Sequence, residues 1–156
     1  MDLIAERNVV LVDITRDNWK EFIALCVAPE DEEYVGTAAE IFISATFSSH
    51  EVQIIVDADT KQKVGVLEFS CPQTDTIRIH NFFIDCSWQC RGYGTAVIKQ
   101  ILQFRDSEHL AVDLSVHKDN TSAIEFYRKH GFVLKEHHPS PDHYEMTWLP
   151  ALIPAD

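Results

Sequence analysis

The feature that most constrains this chain is Gln89–Ala96, where Gly92 and Gly94 stand between two different hydrophobic patterns. The β-rich run Ile77–Asp85 precedes it and the amphipathic run Ala96–Arg105 follows it, so the chain must pass from strand to helix through a glycine turn. Backbone N–H groups at a helix start have no intrahelical acceptor, and glycine leaves them unobstructed. The stretch therefore predicts a loop that can bind the phosphates of a nucleotide-type cofactor.

Hydrophobic spacing along the chain predicts a mixed set of strands and helices. The predicted strands are Val9–Ile14, Glu51–Val56, Lys63–Ser70, Thr76–Asp85, Leu110–Val116, Phe132–Leu134 and His143–Trp148. The predicted helices are one after Thr15, an acidic one from near Pro29 to Phe47, Ala96–Arg105, and Asn120–His130 ended by Gly131. The fold class is therefore α/β.

Length and composition indicate one domain. The chain has 156 residues, of which 46% are hydrophobic, so we expect a single domain over residues 1–150 and a frayed tail over 151–156. Residues 1–8 carry Asp2, Glu6 and Arg7 and no unbroken apolar stretch, which does not fit a secretory signal. No run approaches the ~18 apolar residues of a membrane span. We therefore expect a cytoplasmic protein without a membrane partner.

The charge balance excludes one class of partner. The chain carries 25 acidic and 13 basic residues, a net charge of −12, and no concentrated basic surface of the kind that binds phosphate backbones. Nucleic acid is therefore not an expected partner. Most of the carboxylates are expected to form a solvated acidic surface, and a minority could attract a cationic substrate.

Cysteine and histidine spacing does not predict a metal centre. No Cys/His pair stands at the spacing of a zinc finger, the cysteines being Cys26, Cys71, Cys86 and Cys90. The later histidines form no ligand set either, His137, His138 and His143 included. We expect reduced, structural thiols, as in most cytosolic proteins, and no metal.

A second pattern follows the glycine stretch. Gln89-x-x-Gly92-x-Gly94 comes directly after a strand, and Asn120-x-x-Ala123-x-x-x-Tyr127 with Gly131-Phe132 follows about one strand later. Together they resemble the Gcn5-related N-acetyltransferase (GNAT) superfamily over residues 77–134. The resemblance implies a central mixed β-sheet of six to seven strands flanked by about four helices. A V-shaped opening is expected between the Ile77–Asp85 and Leu110–Val116 strands.

Other glycine-loop families fit less well. A dinucleotide-binding turn needs three glycines as G-x-G-x-x-G near the start of a βαβ unit, with an acidic residue about 20 positions on. This chain offers only two glycines there, and they lie past its midpoint. A P-loop is excluded because no Gly-Lys-Ser or Gly-Lys-Thr occurs.

The resemblance implies acetyl-CoA as the cofactor and CoA as the product. Backbone amides of the loop would bind the pyrophosphate, and backbone groups of the preceding strand would pair with the pantetheine arm. The residues assigned in this way are Phe83, Ile84, Gln89, Cys90, Arg91, Gly92, Tyr93, Gly94, Thr95, Asn120, Ala123 and Tyr127. For the loop, physical chemistry supports the same assignment, because glycine has no Cβ atom that would keep phosphate oxygens away from the backbone amides.

Two residues are candidates for proton transfer. Tyr127 falls where many members of the family place the tyrosine that protonates the departing thiolate, although a mid-helix aromatic beside Phe126 could simply be core. A base must also deprotonate the substrate ammonium, because only the neutral amine attacks. His80 lies on the strand before the loop, nine residues before Gln89, an offset that resembles the position of a histidine base in arylalkylamine N-acetyltransferases. A structural histidine is the other reading of His80, and Glu68 or a water chain could serve as base instead.

The acceptor is expected to be an amine. Glu30, Asp31, Glu32, Glu33 and Tyr34 form an acidic stretch that resembles the substrate side of small bacterial spermine/spermidine acetyltransferases. Carboxylates with an aromatic wall suit a polyamine, although acidic residues also suit the first turn of a helix. Acetylation of a protein N-terminus or lysine is the main alternative, and a non-catalytic acetyl-CoA-binding module is the second. The resemblance also implies a homodimer.

Overall fold

Seven strands and four α-helices make up the described chain. The structure, a computed structural model, describes residues 6–108 and 110–151, so the predictions for residues 1–5 and 152–156 lie outside it. The strands are β1 Val9–Asp13, β2 Glu51–Asp57, β3 Lys63–Gln73, β4 Thr76–Ile84, β5 Ala111–His117, β6 Val133–Leu134 and β7 His143–Trp148. The helices are α1 Trp19–Ile23, α2 Ala38–Ser48, α3 Tyr93–Glu108 and α4 Thr121–Lys129, with a 3₁₀ turn at Pro29–Asp31.

The strands form one mixed sheet in the order β1-β2-β3-β4-β5-β7-β6. β1 with β2, β2 with β3, β5 with β7 and β6 with β7 pair antiparallel. β4 and β5 pair parallel, Thr76–Ile79 with Ala111–Leu114. The expected mixed sheet of six to seven strands with four helices is therefore confirmed.

The described chain divides into two compact units. Unit 1 holds residues 6–70 and 80–97, and unit 2 holds residues 71–79, 98–108 and 110–151. The division passes through β3, β4 and α3. Each unit is described by itself below.

The core of unit 1 lies between its helices and strands. Phe22 of α1 and Ile41 of α2 pack with Ile54, Val66 and Phe83 from β2, β3 and β4, and all five are at most 5% exposed. Each side chain of this size contributes about 1.5 to 3 kcal/mol when fully buried. This packing holds the C-terminal end of β4, and with it the start of the glycine loop, in a defined place.

The core of unit 2 includes Leu114 of β5, Ile124 of α4, Phe132 and Met146 of β7, each at most 7% exposed. Helix α4 ends as expected, since His130 is its C-cap and Gly131 follows with a φ of +91°, a backbone conformation that favours glycine.

The prediction of one acidic helix from near Pro29 to Phe47 is wrong. The chain makes only a three-residue 3₁₀ turn at Pro29–Asp31, and α2 begins after Thr37. Thr37 and Glu40 form a reciprocal capping box, and this start signal separates the two segments. Phe47 is 87% exposed, so the apolar face of α2 is shorter than its spacing indicates.

Helix α3 begins three residues before the predicted Ala96, at Tyr93. The glycines of the loop are thus part of the helix start. Among the residues that the structure describes, no helix is both long and apolar enough to cross a bilayer.

Candidate active site

The glycine loop has the backbone conformation that an anion site requires. Cys90 and Gly92 have φ values of +59° and +88°, and such alternation turns successive N–H groups to one side of the chain. The N–H of Ala96 donates to the carbonyl of Gly92 at 3.1 Å, so the amides of Tyr93, Gly94 and Thr95 have no acceptor within the helix. The loop therefore fits the phosphates of a CoA-type cofactor.

Two arginines bring positive charge to this loop. The Nε atom of Arg7 donates to the carbonyl oxygen of Arg91 at 2.9 Å, and the Arg7 guanidinium lies 5.0 Å from the centre of the Tyr93 ring. The guanidinium of Arg91 lies 4.9 Å from a Trp88 ring. Sequence reasoning missed Arg7, because nothing local relates a residue before β1 to a loop 84 positions away.

The side chain of Tyr93 has a structural role. It is 2% exposed, and its hydroxyl donates to Oδ2 of Asp57 at 2.6 Å. Oδ1 of Asp57 accepts the backbone N–H groups of Asp59 and Thr60, both at 2.9 Å. The Tyr93 hydrogen bond and these amides lower the pKa of Asp57 to about 2. Tyr93 thus fixes the start of α3 to the turn between β2 and β3, and its backbone N–H is the group left for a cofactor.

Gln89 connects the loop to the acidic stretch. Its Nε2 atom lies 3.3 Å from the carbonyl oxygen of Ile84 and 3.4 Å from Oδ2 of Asp31. Phe83 and Ile84 are 5% and 9% exposed, so their side chains belong to the core. The structure therefore brings Asp31, predicted for the substrate, next to Gln89, predicted for the cofactor.

A groove of about 680 Å³ opens beside this stretch. Its lining includes Glu32, Glu33, Tyr34 and Glu40, and we call it the acidic groove. Glu32, Glu33 and Tyr34 belong to the acidic stretch predicted for the substrate, whereas Glu30 and Asp31 of that stretch do not line the groove. The backbone and side chain of Thr37 hydrogen-bond Glu40 and lower its pKa, so this carboxylate is charged at neutral pH. The groove can hold a cationic chain.

His80 lies in a polar cluster of unit 1. Its Nε2 atom is 2.7 Å from Oγ of Ser70, and its ring stacks on the ring of His50 with centres 3.7 Å apart. Glu68 is 3% exposed, and its two oxygens contact Nδ1 of His50 at 2.8 Å and Nδ2 of Asn81 at 2.6 Å. The two candidate bases, His80 and Glu68, are thus joined through His50, which sequence reasoning missed because it lies outside both strands.

The remaining candidates lie in unit 2. Asn120 is the N-cap of α4, and its Oδ1 accepts the N–H of Ala123 at 3.3 Å, a contact that explains the Asn-x-x-Ala spacing by helix capping alone. Tyr127 is 9% exposed and packs against Phe126 and Phe132. Burial raises the pKa of the Tyr127 phenol, so its hydroxyl stays protonated at neutral pH.

The cysteines differ from expectation in one respect. All four are free thiols, as predicted, but all four are exposed, so none fills the core. Unit 1 therefore holds the loop, the acidic groove and His80, and unit 2 holds Asn120, Ala123 and Tyr127.

Comparison with known proteins gives a family match and related structures. A model of the acetyltransferase (GNAT) family matches residues 6–132. An uncharacterized N-acetyltransferase from Methanocaldococcus jannaschii is 36% identical over 63 residues, which span 40% of this chain but only 28% of that protein.

Three solved structures show the same fold. Ard1 from Thermoplasma volcanium is 22% identical with a TM-score of 0.67, covering 92% of this chain and 99% of that one. Spermidine N-acetyltransferase from Vibrio cholerae, in complex with CoA and spermine, is 17% identical with a TM-score of 0.69, covering 90% and 95%. Ribosomal-protein-S18-alanine N-acetyltransferase from Escherichia coli is 13% identical with a TM-score of 0.66, covering 94% and 96%.

Proposed function

The chain belongs to the acetyltransferase (GNAT) family, and on that premise we propose that it moves the acetyl group of acetyl-CoA to a primary amine of a small molecule, with spermidine and spermine favoured. The observation that carries the choice of acceptor is the acidic groove, which places Glu32, Glu33 and Tyr34 around about 680 Å³. Several carboxylates beside an aromatic ring bind a chain of ammonium groups through charge-assisted hydrogen bonds and cation–π contacts.

The glycine loop supports acetyl-CoA as the donor. When bound, acetyl-CoA supplies an acetyl group already activated as a thioester. The amides that would hold its pyrophosphate belong to Cys90, Arg91, Gly92, Tyr93, Gly94 and Thr95. The side chain of Gln89 connects the start of this loop to the end of β4, because its Nε2 atom donates to the carbonyl oxygen of Ile84. Arg7 and Arg91 add positive charge beside these amides, as binding of a pyrophosphate requires in a chain of net charge −12. We also propose that four residues contact the pantetheine arm, namely Phe83, Ile84, Asn120 and Ala123.

We assign the proton transfers to two residues of this chain. His80 takes the proton of the substrate ammonium, and Ser70, 2.7 Å from its Nε2, together with the stacked His50 ring holds the imidazole in place. Tyr127 gives its proton to the departing thiolate, and burial keeps the phenol protonated, so that this proton is present on the oxygen. The transfer requires the hydroxyl and the sulfur to come within hydrogen-bond reach of each other.

Protein acetylation is the second candidate. Two proteins that share the fold are named as Ard1 and as a ribosomal-protein-S18-alanine N-acetyltransferase. A peptide N-terminus carries one ammonium group followed by a neutral backbone, so it has less need of a groove with several carboxylates. The acidic groove therefore favours a polyamine. A non-catalytic acetyl-CoA-binding module is a third reading, and a homodimer and a cytoplasmic location stay proposals.

A two-step assay tests the function. Acetyl-CoA binding is measured first by calorimetry. Release of CoA thiol is then followed with spermidine, spermine, monoamines, a peptide with N-terminal alanine and a peptide with internal lysine, and the acetylated product is identified by mass spectrometry. We expect binding, and turnover that is fastest with the polyamines. Turnover with peptides alone would replace the polyamine assignment, and binding without turnover on any amine would leave only the binding module.

A matched pair of variants tests the groove. Glu33→Gln removes a carboxylate that lines the groove, and Glu136→Gln removes an exposed one in unit 2. We expect Glu33→Gln to raise KM for spermine with little change in kcat, since it removes binding energy present before and during reaction. Equal KM values in the two variants would contradict a role for the groove.

A further inference from the structure

The fold of unit 1 brings together three potential metal ligands that are distant in the sequence. Sγ of Cys26, a carboxylate oxygen of Asp85 and Sγ of Cys86 all lie within 4.8 Å of one another. We call these three residues the thiol cluster. Both thiols are exposed, and Asp85 is 8% exposed. Within the part of the chain that the structure describes, no other group of three Cys, His or acidic side chains converges in this way.

Backbone hydrogen bonds hold the thiol cluster in place. The N–H of Cys26 donates to Oδ2 of Asp85 at 2.8 Å, and the N–H of Cys86 donates to the carbonyl of Cys26 at 3.0 Å. The N–H of Ser87 donates to Oδ1 of Asp85 at 2.8 Å. These bonds fix the Asp85 carboxylate and the backbone of both cysteines, so only the two cysteine side chains need to turn for the three ligands to meet one ion.

The ligand set fits a thiophilic divalent cation. Zn²⁺ in proteins is bound by Cys sulfur at about 2.3 Å and by carboxylate oxygen at about 2.0 to 2.2 Å, so ligands arranged tetrahedrally around it lie about 3 to 4 Å apart. The three ligand atoms found here all lie within 4.8 Å of one another. We propose that Cys26, Asp85 and Cys86 form a binding site for a thiophilic divalent cation of the Zn²⁺ class, with a fourth position open to solvent beside the two exposed thiols.

The carboxylate distinguishes this site from a bare pair of thiols. An oxygen of Asp85 lies within 4.8 Å of both sulfurs, so a cation placed between the sulfurs would also meet a carboxylate ligand. Sulfur and carboxylate oxygen are both ligands that Zn²⁺ takes in proteins.

The position of the site links two parts of unit 1. Cys26 also lines the acidic groove, and Cys86 follows β4 three residues before Gln89. A bound cation would join the groove wall to the segment that leads into the glycine loop. Binding of a cation at this place does not depend on acetyl transfer and can be measured without turnover.

Titration of the reduced, metal-free full chain with Cd²⁺ tests the site, because Cd²⁺ bound to thiolates shows charge-transfer absorption in the ultraviolet. We expect one equivalent to bind with two thiolates, and Tm to rise because the ion binds only the folded chain. Zn²⁺ is expected to displace Cd²⁺. Cys26→Ser and Cys86→Ser should each abolish the band. Cys71→Ser, which removes an exposed thiol of unit 2, is the matched control and should bind as the parent chain does.

Two results would overturn the proposal. One is a band that persists at one equivalent in both Cys26→Ser and Cys86→Ser, which would place the metal elsewhere. The other is no Cd²⁺ binding by the reduced chain, whether or not mass spectrometry finds a Cys26–Cys86 disulfide after exposure to air. Far-ultraviolet circular dichroism of each metal-free variant distinguishes a lost ligand from a lost fold, and Asp85→Asn is expected to weaken binding at least tenfold.

Discussion

At the scale of single residues, Tyr127 combines a protonated hydroxyl with a packed ring. It is 9% exposed, and its ring centre lies 5.4 Å from that of Phe126 and 5.3 Å from that of Phe132. Phenylalanine keeps these ring contacts and removes only the proton donor. The substitution therefore separates the two readings of this residue, a packed aromatic and an acid.

We expect Tyr127→Phe to keep acetyl-CoA affinity and to lower kcat by about 10² to 10⁴-fold, the range for a positioned acid. Calorimetry measures the affinity, and steady-state CoA release measures kcat. Tyr144→Phe, at a half-buried tyrosine of β7, controls for loss of a phenol in the same unit. An unchanged kcat would remove Tyr127 from the acid role.

His80 predicts a pH dependence. A protonated imidazole cannot accept the proton of the substrate. We expect kcat/KM of the parent chain to fall as the pH is lowered, and His80→Ala to be slower than the parent at high pH and to lose the part of this fall that His80 causes. Glu68→Gln tests the other candidate base. A pH–rate profile that is the same in parent and His80→Ala would exclude His80.

The hydrogen bond from Tyr93 to Asp57 predicts a stability that depends on pH. The folded pKa of Asp57 is about 2, below the unfolded value of about 3.9, so its contribution is present above pH ~4 and is lost as pH falls toward 2. We expect Tyr93→Phe to destabilise the fold by about 1.5 to 3 kcal/mol near neutral pH, the range for a hydrogen bond to a charged group.

Urea unfolding of parent and Tyr93→Phe at a series of pH values measures this difference. The two free energies of unfolding should converge between pH ~4 and ~2, where Asp57 becomes protonated in the folded chain. A difference that stays constant over that range would assign the effect to packing of the ring instead.

At the scale of elements, β3 and β4 approach each other so closely that one position requires glycine. A Cβ atom added at Gly65 of β3 would lie 2.5 Å from the carbonyl oxygen of Phe83 and 3.0 Å from Cδ1 of Ile84. The first contact is with backbone, which cannot move without shifting β4. Strand β4 leads into the glycine loop, so a shift of β4 would also move the loop of the candidate site.

We expect Gly65→Ala to destabilise the fold by about 1 to 3 kcal/mol or more, as overpacking does. Gly36→Ala is the matched control, because its nearest contacts would be at 3.5 and 3.6 Å, and we expect a change within about 0.5 kcal/mol. Thermal or urea unfolding measures both. Similar stabilities for the two variants would show that β4 shifts at low cost.

At the scale of the whole molecule, the net charge of −12 predicts faster capture of cations than of neutral molecules. Raising the ionic strength from about 0.01 to 0.15 M shortens the Debye length from about 30 to 8 Å. We expect kcat/KM for spermine to fall by roughly tenfold over this range, and kcat/KM for a monoamine to fall less. Equal salt dependence for both amines would argue against electrostatic capture.

The sequence by itself determined the family, the order of the elements and the place of the glycine loop. These properties depend on local patterns: alternation identifies strands, and Gly92 and Gly131 stand where the backbone takes positive φ values. It failed at Pro29–Asp31, where the capping box of Thr37 overrides a continuous apolar spacing. The sequence also did not show that the two parts of Tyr93 have different roles. Its ring is buried in the core, while its backbone amide belongs to the loop predicted to bind the cofactor.

Only the tertiary structure decided which distant side chains meet. Arg7 reaches the loop, His50 stacks on His80, and Cys26 joins Cys86, across separations of 84, 30 and 60 residues along the chain. No local pattern encodes such contacts, because they result from how strands pair and helices pack. The glycine loop can be predicted from the sequence alone, whereas the contact of Arg7 with the loop, the stacking of His50 on His80 and the meeting of Cys26 with Cys86 depend on the fold.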